Sequence, residues 1–213
     1  MRKLLLATAL SVCASGVMVS AAHATIIGSA YFVSEAESQN AVIGFAHGAP
    51  NATFSIPNGP INFNSAANAA AYSLGGFLAS SPGEITLTGT AADLAQNLDS
   101  AAGGVMIELT GTVSVVNGQM FLVSHDDGLQ LMIDGLLVVN VPGPTAPVIT
   151  TVTYTGPTGT FAFDLVYGEC CGAPAVLATS LPLTGTTVPE PATLALLSAA
   201  LIGFGVARRR WRS

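Results

Sequence analysis

Two neighbouring carboxylates, Asp126 and Asp127, are the side chains best placed to do chemistry; they stand in the run Ser124-His125-Asp126-Asp127-Gly128. What paired carboxylates bind depends on the positive groups around them. All six Lys and Arg residues are terminal: Arg2, Lys3, Arg208, Arg209, Arg210 and Arg212. Of the twelve acids only Glu190 lies outside residues 25–187, so that stretch holds eleven carboxylates and no Lys or Arg, a formal charge of −11. Such a surface repels phosphate backbones and anionic lipid heads, which excludes nucleic acid as a partner. Divalent cations are its natural counterparts.

The elements that must hold this pair read as short strands. Asp134-Gly135 separates two apolar runs by two residues, and both residue types tolerate the positive φ of a type I′ turn. The turn predicts a hairpin in which Ile133 faces Leu136, Leu131 faces Val138 and Leu129 faces Asn140, with Gln130 on the other face. Val105, Ile107, Leu109, Val113 and Val115 alternate with polar residues as a half-buried strand does. Asn117-Gly118 turns that strand, and the return run 119–125 is expected to set Met120 opposite Val115 and Leu122 opposite Val113. Phe54, Ile56, Ile61 and Phe63 flank Pro57-Asn58-Gly59-Pro60 and predict a hairpin with an irregular loop. The stretch 26–45 suggests strands at Ile26-Ile27 and Val42-Ile43. An alanine-rich turn of helix after Ser65 is expected to end at Gly75-Gly76. Strands are expected near 85–88, 148–155, 160–167 and 175–181, with a short helix at 91–99, a linker at 142–147 and a loop at 168–174. Many short strands with glycine-rich turns and no long amphipathic helix predict an all-β, antiparallel, jelly-roll-like β-sandwich over residues 25–187.

The ends read differently. Arg2-Lys3, an apolar run and Ala22-His23-Ala24 form a cleavable secretory signal over residues 1–24. Residues 192–207 are uncharged and mostly apolar, and arginines follow them, so a C-terminal membrane helix with a cytoplasmic basic end is expected. Export agrees with the cysteines. Cys13 leaves with the signal, and Cys170-Cys171 can close a vicinal disulfide, pair between chains or stay free. With only His47 and His125 left in the exported chain, zinc spacing is absent. His125 reads as a surface histidine rather than a catalytic base, and His47 as a loop residue. Phosphate loops and nucleophile elbows are absent too. A glycosidase can hide in two distant carboxylates, since that chemistry has no local spacing rule.

Val188-Pro189-Glu190-Pro191, the apolar stretch and Arg208-Arg209-Arg210 stand in the order of the PEP-CTERM sorting signal of Gram-negative bacteria, and residues 188–213 resemble it. The resemblance implies processing by an exosortase, transient anchoring in the inner membrane, and a destination at the surface or in the matrix of an exopolysaccharide producer. Residues Phe121 to Gly135, the strand after them, and Phe163-Asp164-Leu165-Val166-Tyr167-Gly168-Glu169 with Gly172-Ala173 resemble the β-sandwich shared by anthrax protective antigen, some glycosidases and the flocculin-type (GLEYA-like) adhesins. In those adhesins an Asp-Asp pair joined by a cis peptide binds calcium, which coordinates sugar hydroxyls. The resemblance makes Asp126 and Asp127 calcium ligands. The adhesins add an Asn from a second loop; the corresponding loop here has none and offers Glu169. The expectation is a non-enzymatic, calcium-dependent adhesin or carbohydrate-binding protein, with exopolysaccharide or other glycans as partners. The alternative is a structural matrix protein of a biofilm without a specific ligand site.

Overall fold

The computed structural model describes residues 25–57, 60–66, 72–99 and 103–183. The stretches expected as the secretory signal, the sorting signal and the C-terminal membrane helix lie outside them, as does most of the alanine-rich run. The described residues fall within one unit, Ala22–Thr187. Eleven strands and three short helices follow one another as β1 (Ile26–Val33), α1 (Glu35–Ser38), β2 (Ala52–Ile56), β3 (Asn62–Asn64), α2 (Leu74–Ala79), β4 (Thr86–Gly89), α3 (Ala91–Ala95), β5 (Gly104–Val115), β6 (Met120–Asp126), β7 (Gly128–Ile133), β8 (Leu136–Val141), β9 (Val148–Thr153), β10 (Gly159–Glu169) and β11 (Val176–Thr179). They make two sheets, ordered β4-β2-β1-β5-β10-β7-β8 and β3-β11-β6-β9. Every pairing is antiparallel. The fold is the expected antiparallel β-sandwich.

Alternation explains where the core sits. Val105, Ile107, Leu109, Val113 and Val115 of β5 are all buried, as are Phe163, Leu165 and Tyr167 of β10 beside it. Aromatic rings bridge the sheets, Phe54 to Phe63 at 5.8 Å between centroids, Phe63 to Phe77 at 5.4 Å, and Phe77 stacked on Tyr167 at 6.0 Å. Edge-to-face and offset contacts at these distances suit the ring quadrupoles. Phe77 comes from α2, whose buried face is Leu74, Phe77 and Leu78.

Several local expectations are corrected. Phe54, Ile56, Ile61 and Phe63 are all buried, yet β2 and β3 belong to different sheets. The Pro57-Pro60 link carries the chain across the sandwich instead of folding it back. The Asn117-Gly118 turn does the same. Both edges of β5 are already taken by β1 and β10, so β6 joins the opposite sheet. It therefore buries Phe121, Val123 and His125 while Met120 and Leu122 are exposed. Gly75-Gly76 lies inside α2 because Ser73 caps that helix, accepting from the Gly76 N–H at 3.1 Å. Val42 and Ile43 form no strand; Ile43 and Phe45 cover Met106 and Val166 on the outer side of the larger sheet.

In the Asp134-Gly135 hairpin both central residues have positive φ, 51° and 76°, as expected. Ile133 pairs with Leu136, but a bulge between Leu131 and Met132 shifts the rest, so that Leu131 meets Val139 and Leu129 meets Val141. β8 is a sheet edge, where one extra residue disturbs only one neighbour. Val139 is consequently the buried residue of β8, and Leu136 and Leu137 are exposed.

A candidate cation site where the chain changes sheets

β6 ends at Asp126 in the smaller sheet and β7 begins at Gly128 in the larger one, so Asp127 alone carries the chain between them. The peptide bond joining the two aspartates is cis. Register fixes both sides of the step, with Asp126 opposite Val176 and Gly128 opposite Gly168. The connection from β10 to β11, residues 170–175, makes the reverse crossing. The two crossings touch: the Cys170 N–H donates to Asp127 Oδ2 at 2.9 Å. From the other side the Thr145 N–H donates to Asp127 Oδ1 at 3.0 Å, so the stretch expected as a linker helps to close the site.

Both aspartates are nearly enclosed, 6% and 5% exposed. Burial pushes the Asp126 carboxyl up to about 6, and the charge of Asp127 adds to it. Asp127 is also raised by burial, against the pull of its two N–H donors. Among the described residues no hydrogen bond reaches the Asp126 carboxylate. Two adjacent enclosed carboxylates, one raised by the charge of the other, are poorly stable as a bare pair without a Lys or Arg.

His125 is buried rather than a surface residue, with 1% exposure. Its Nδ1 lies 2.6 Å from the Asp127 carbonyl oxygen and its Nε2 3.0 Å from Thr150 Oγ1. A carbonyl only accepts, so Nδ1 is the donor and the ring fixes the backbone of Asp127. The alternation Phe121, Val123, His125 is the signal for this, visible once β6 is placed in the smaller sheet.

Glu169, expected as a third ligand, is fully buried one strand away and directs its carboxyl to two tyrosines. Tyr167 Oη lies 2.5 Å from Oε2, and the Tyr72 hydroxyl donates to Oε1 at 3.3 Å. Tyr167 Oη also donates to the Asp126 carbonyl oxygen. The phenol has one proton and that carbonyl cannot donate, so the chain of bonds is complete when Glu169 is protonated and donates to Tyr167. Burial raises Glu169 to about 9, which keeps that proton in place at neutral pH. Glu169 thus holds Asp126 from behind, through Tyr167. Nothing in the spacing pointed to the tyrosines; Tyr167 reads as one more core residue on the inward face of β10.

Cys170 and Cys171 form a disulfide with each other. Cys170 is buried and Cys171 exposed, and Gln39 Nε2 donates to Cys171 Sγ at 3.5 Å. Both sulfurs and an Asp127 carboxylate oxygen lie within 4.8 Å of one another. Sulfurs bonded to each other are not the thiolates that zinc requires. The remaining donors are oxygens, which suit a hard cation such as calcium. His47 lies apart from this site, packed on Tyr31 at 4.1 Å and Phe45 at 4.9 Å between ring centroids.

Among solved structures the chain is similar to the PA14 sugar-binding domain from an RTX adhesin, at 21% identity and a TM-score of 0.46 over 73% of this chain and 87% of that one. It is similar also to the PA14 domain of the MpAFP antifreeze protein, at 22% identity and a TM-score of 0.43 over 78% and 82%. The GH31 alpha-xylosidase from Xanthomonas citri matches at 13% identity and a TM-score of 0.39 over 79% of this chain and 14% of that one. No curated protein matches the chain. Among the described residues no helix is long and apolar enough to cross a membrane. Residues 187–210, which contain Pro189, Glu190, Pro191 and Arg208-Arg209-Arg210, match the PEP-CTERM protein-sorting motif, so the chain carries the sorting signal of an exported, surface-sorted protein.

Proposed function

We propose that this is a surface-sorted, non-enzymatic sandwich that holds calcium on Asp126 and Asp127 and binds carbohydrate of the surrounding matrix through it. The observation that carries the proposal is the enclosed aspartate pair: two carboxylates at the sheet crossover, one fixed by two backbone N–H donors and the other without a hydrogen bond among the described residues. A region whose formal charge is −11 supplies no Lys or Arg to neutralise them. Calcium bound there would offer its remaining coordination positions to neighbouring sugar hydroxyls. The chain's own part is positional. Thr145 and Cys170 fix the Asp127 carboxylate, His125 fixes its carbonyl, and Tyr167 with Glu169 fixes the Asp126 carbonyl. Exosortase processing at the C-terminal motif delivers the module to the surface, after anchoring through residues 192–207.

Thermal unfolding with chelator and then with calcium tests the cation half. At calcium about a hundredfold above Kd the gain is about 2.7 kcal/mol. For a domain of this size that is roughly 5–11 °C in Tm. The Asp126→Asn, Asp127→Asn double variant is expected to show no such gain. An equal response in both proteins would mean that the pair is only a turn, and the structural matrix reading would replace this one. Glycan-array binding by the folded protein in calcium, lost on adding chelator, is the expected result for the sugar half.

A further inference from the structure

We infer that the Cys170–Cys171 disulfide is a positioning element of the cation site, and that its reduction by a thiol weakens calcium binding; the inference rests on the calcium reading above. Cys170 gives its N–H to Asp127 Oδ2, while Glu169, the residue before it, holds Asp126 through Tyr167. One tripeptide, 169–171, therefore secures both aspartates. Its last member, Cys171, has a φ of 66°, in the left-handed region that disfavours a side-chain-bearing residue. The bond between the sulfurs ties that backbone to Cys170. On either side the chain is fixed, by Glu169 opposite Val105 and by the Ala175 N–H donating to Ser65 Oγ at 2.7 Å. The stretch between these two anchors, which carries the Cys170 N–H, is the one that holds the disulfide, so parting the sulfurs releases a constraint there. Both sulfurs lie within 4.8 Å of the carboxylate concerned, so the disturbance is local to it.

The sulfur of Cys171 is the accessible end, because Cys171 is exposed and Cys170 is not. With a dithiol the exchange balances: one reagent thiolate attacks Sγ of Cys171, the second closes the reagent's cyclic disulfide, and two protons pass to Cys170 and Cys171. A bridge between adjacent residues closes no loop of chain, so its loss is expected to leave global stability nearly unchanged. That separates a positioning role from a structural one.

The test is calorimetric calcium titration of the full chain, in detergent for its apolar C-terminal stretch, in four states: oxidised, reduced with dithiothreitol, reoxidised, and Cys170→Ser with Cys171→Ser. Partners that orient metal ligands are worth about 10–100-fold in affinity. The expected result is at least about a tenfold weaker Kd in the reduced protein and in the double-serine variant, restored on reoxidation, with the unfolding midpoint in chelator little changed. Equal Kd in the oxidised and reduced protein overturns this inference and leaves the calcium reading intact. Absence of calcium binding in every state overturns both. Should the serine variant fail to fold, the reduction and reoxidation of the native chain decide.

Discussion

Gly128→Ala is expected to lower stability by about 3 kcal/mol, the cost of forcing extra atoms into a well-packed interior, and to weaken calcium binding with it. A Cβ at Gly128 would lie 2.0 Å from the carbonyl oxygen of Pro142 and 2.6 Å from its carbonyl carbon. Both are backbone atoms, so no side-chain rotation makes room. The Pro142 oxygen is also engaged, accepting the Ala41 N–H at 3.0 Å. Room has to come from moving either β7 or the segment 142–145. The first displaces Asp127, the neighbour of Gly128; the second withdraws the Thr145 N–H from Asp127 Oδ1. Either way stability and site suffer together. For a domain of this size the loss corresponds to a Tm lower by roughly 6–12 °C. Gly143→Ala is the control, because a Cβ there meets nothing within 4 Å. That change is expected to stay within about 0.5 kcal/mol, as surface substitutions do. If the two alanine variants unfold alike, the close approach at Gly128 has no energetic weight.

The strands were legible in the sequence because each buries one face, and period-two alternation is local information. Phe161, Phe163, Leu165 and Tyr167 show it, and the Asp134-Gly135 turn is equally local, since both residue types tolerate the positive φ that a two-residue hairpin link requires. The assignment of strands to sheets was not legible. A turn such as Asn117-Gly118 reverses the chain equally well into the next strand of one sheet or across to the other. Which occurs depends on whether the neighbouring edge is free, and β1 and β10 had claimed the edges of β5 from far along the chain. This one ambiguity inverted β6, exposed Met120 and Leu122, and turned His125 inward. The site divides in the same way. Asp126 and Asp127 stood out as adjacent carboxylates in a short link. Thr145 serves through its backbone N–H, which leaves no trace in residue type. Tyr167 and Glu169 differ from ordinary core and loop residues only in what they meet across the sandwich.

Without calcium the protein is expected to be more stable at pH 5 than at pH 8. Carboxyls that gain hydrogen-bond donors or positive partners on folding usually give the opposite trend. Asp126 is raised by burial and by Asp127 to about 6, and Glu169 by burial to about 9. In the unfolded chain both return to about 4. An acid held protonated by the fold stabilises fully below its unfolded value, and that stabilisation is lost as pH climbs to the folded value. Asp126 therefore acts between about pH 4 and 6, and Glu169 between about pH 4 and 9. Each carboxyl contributes about 1.4 kcal/mol per pH unit within its window. That is roughly 3–6 °C in Tm per unit. Two limbs result, a steep one below pH 6 where both groups act and a shallower one above it. Asp126→Asn removes the first contribution. Glu169→Gln removes the second, since its amide can still donate to Tyr167 without titrating. Calcium needs the aspartates ionised, so its stabilising effect is expected to be full near pH 7.5 and nearly absent at pH 5. Unfolding midpoints measured in chelator across pH 5 to 8 decide the matter. A profile that is flat or rises with pH would show that the enclosed carboxyls do not hold their protons, and the stored repulsion that calcium is proposed to relieve would not exist.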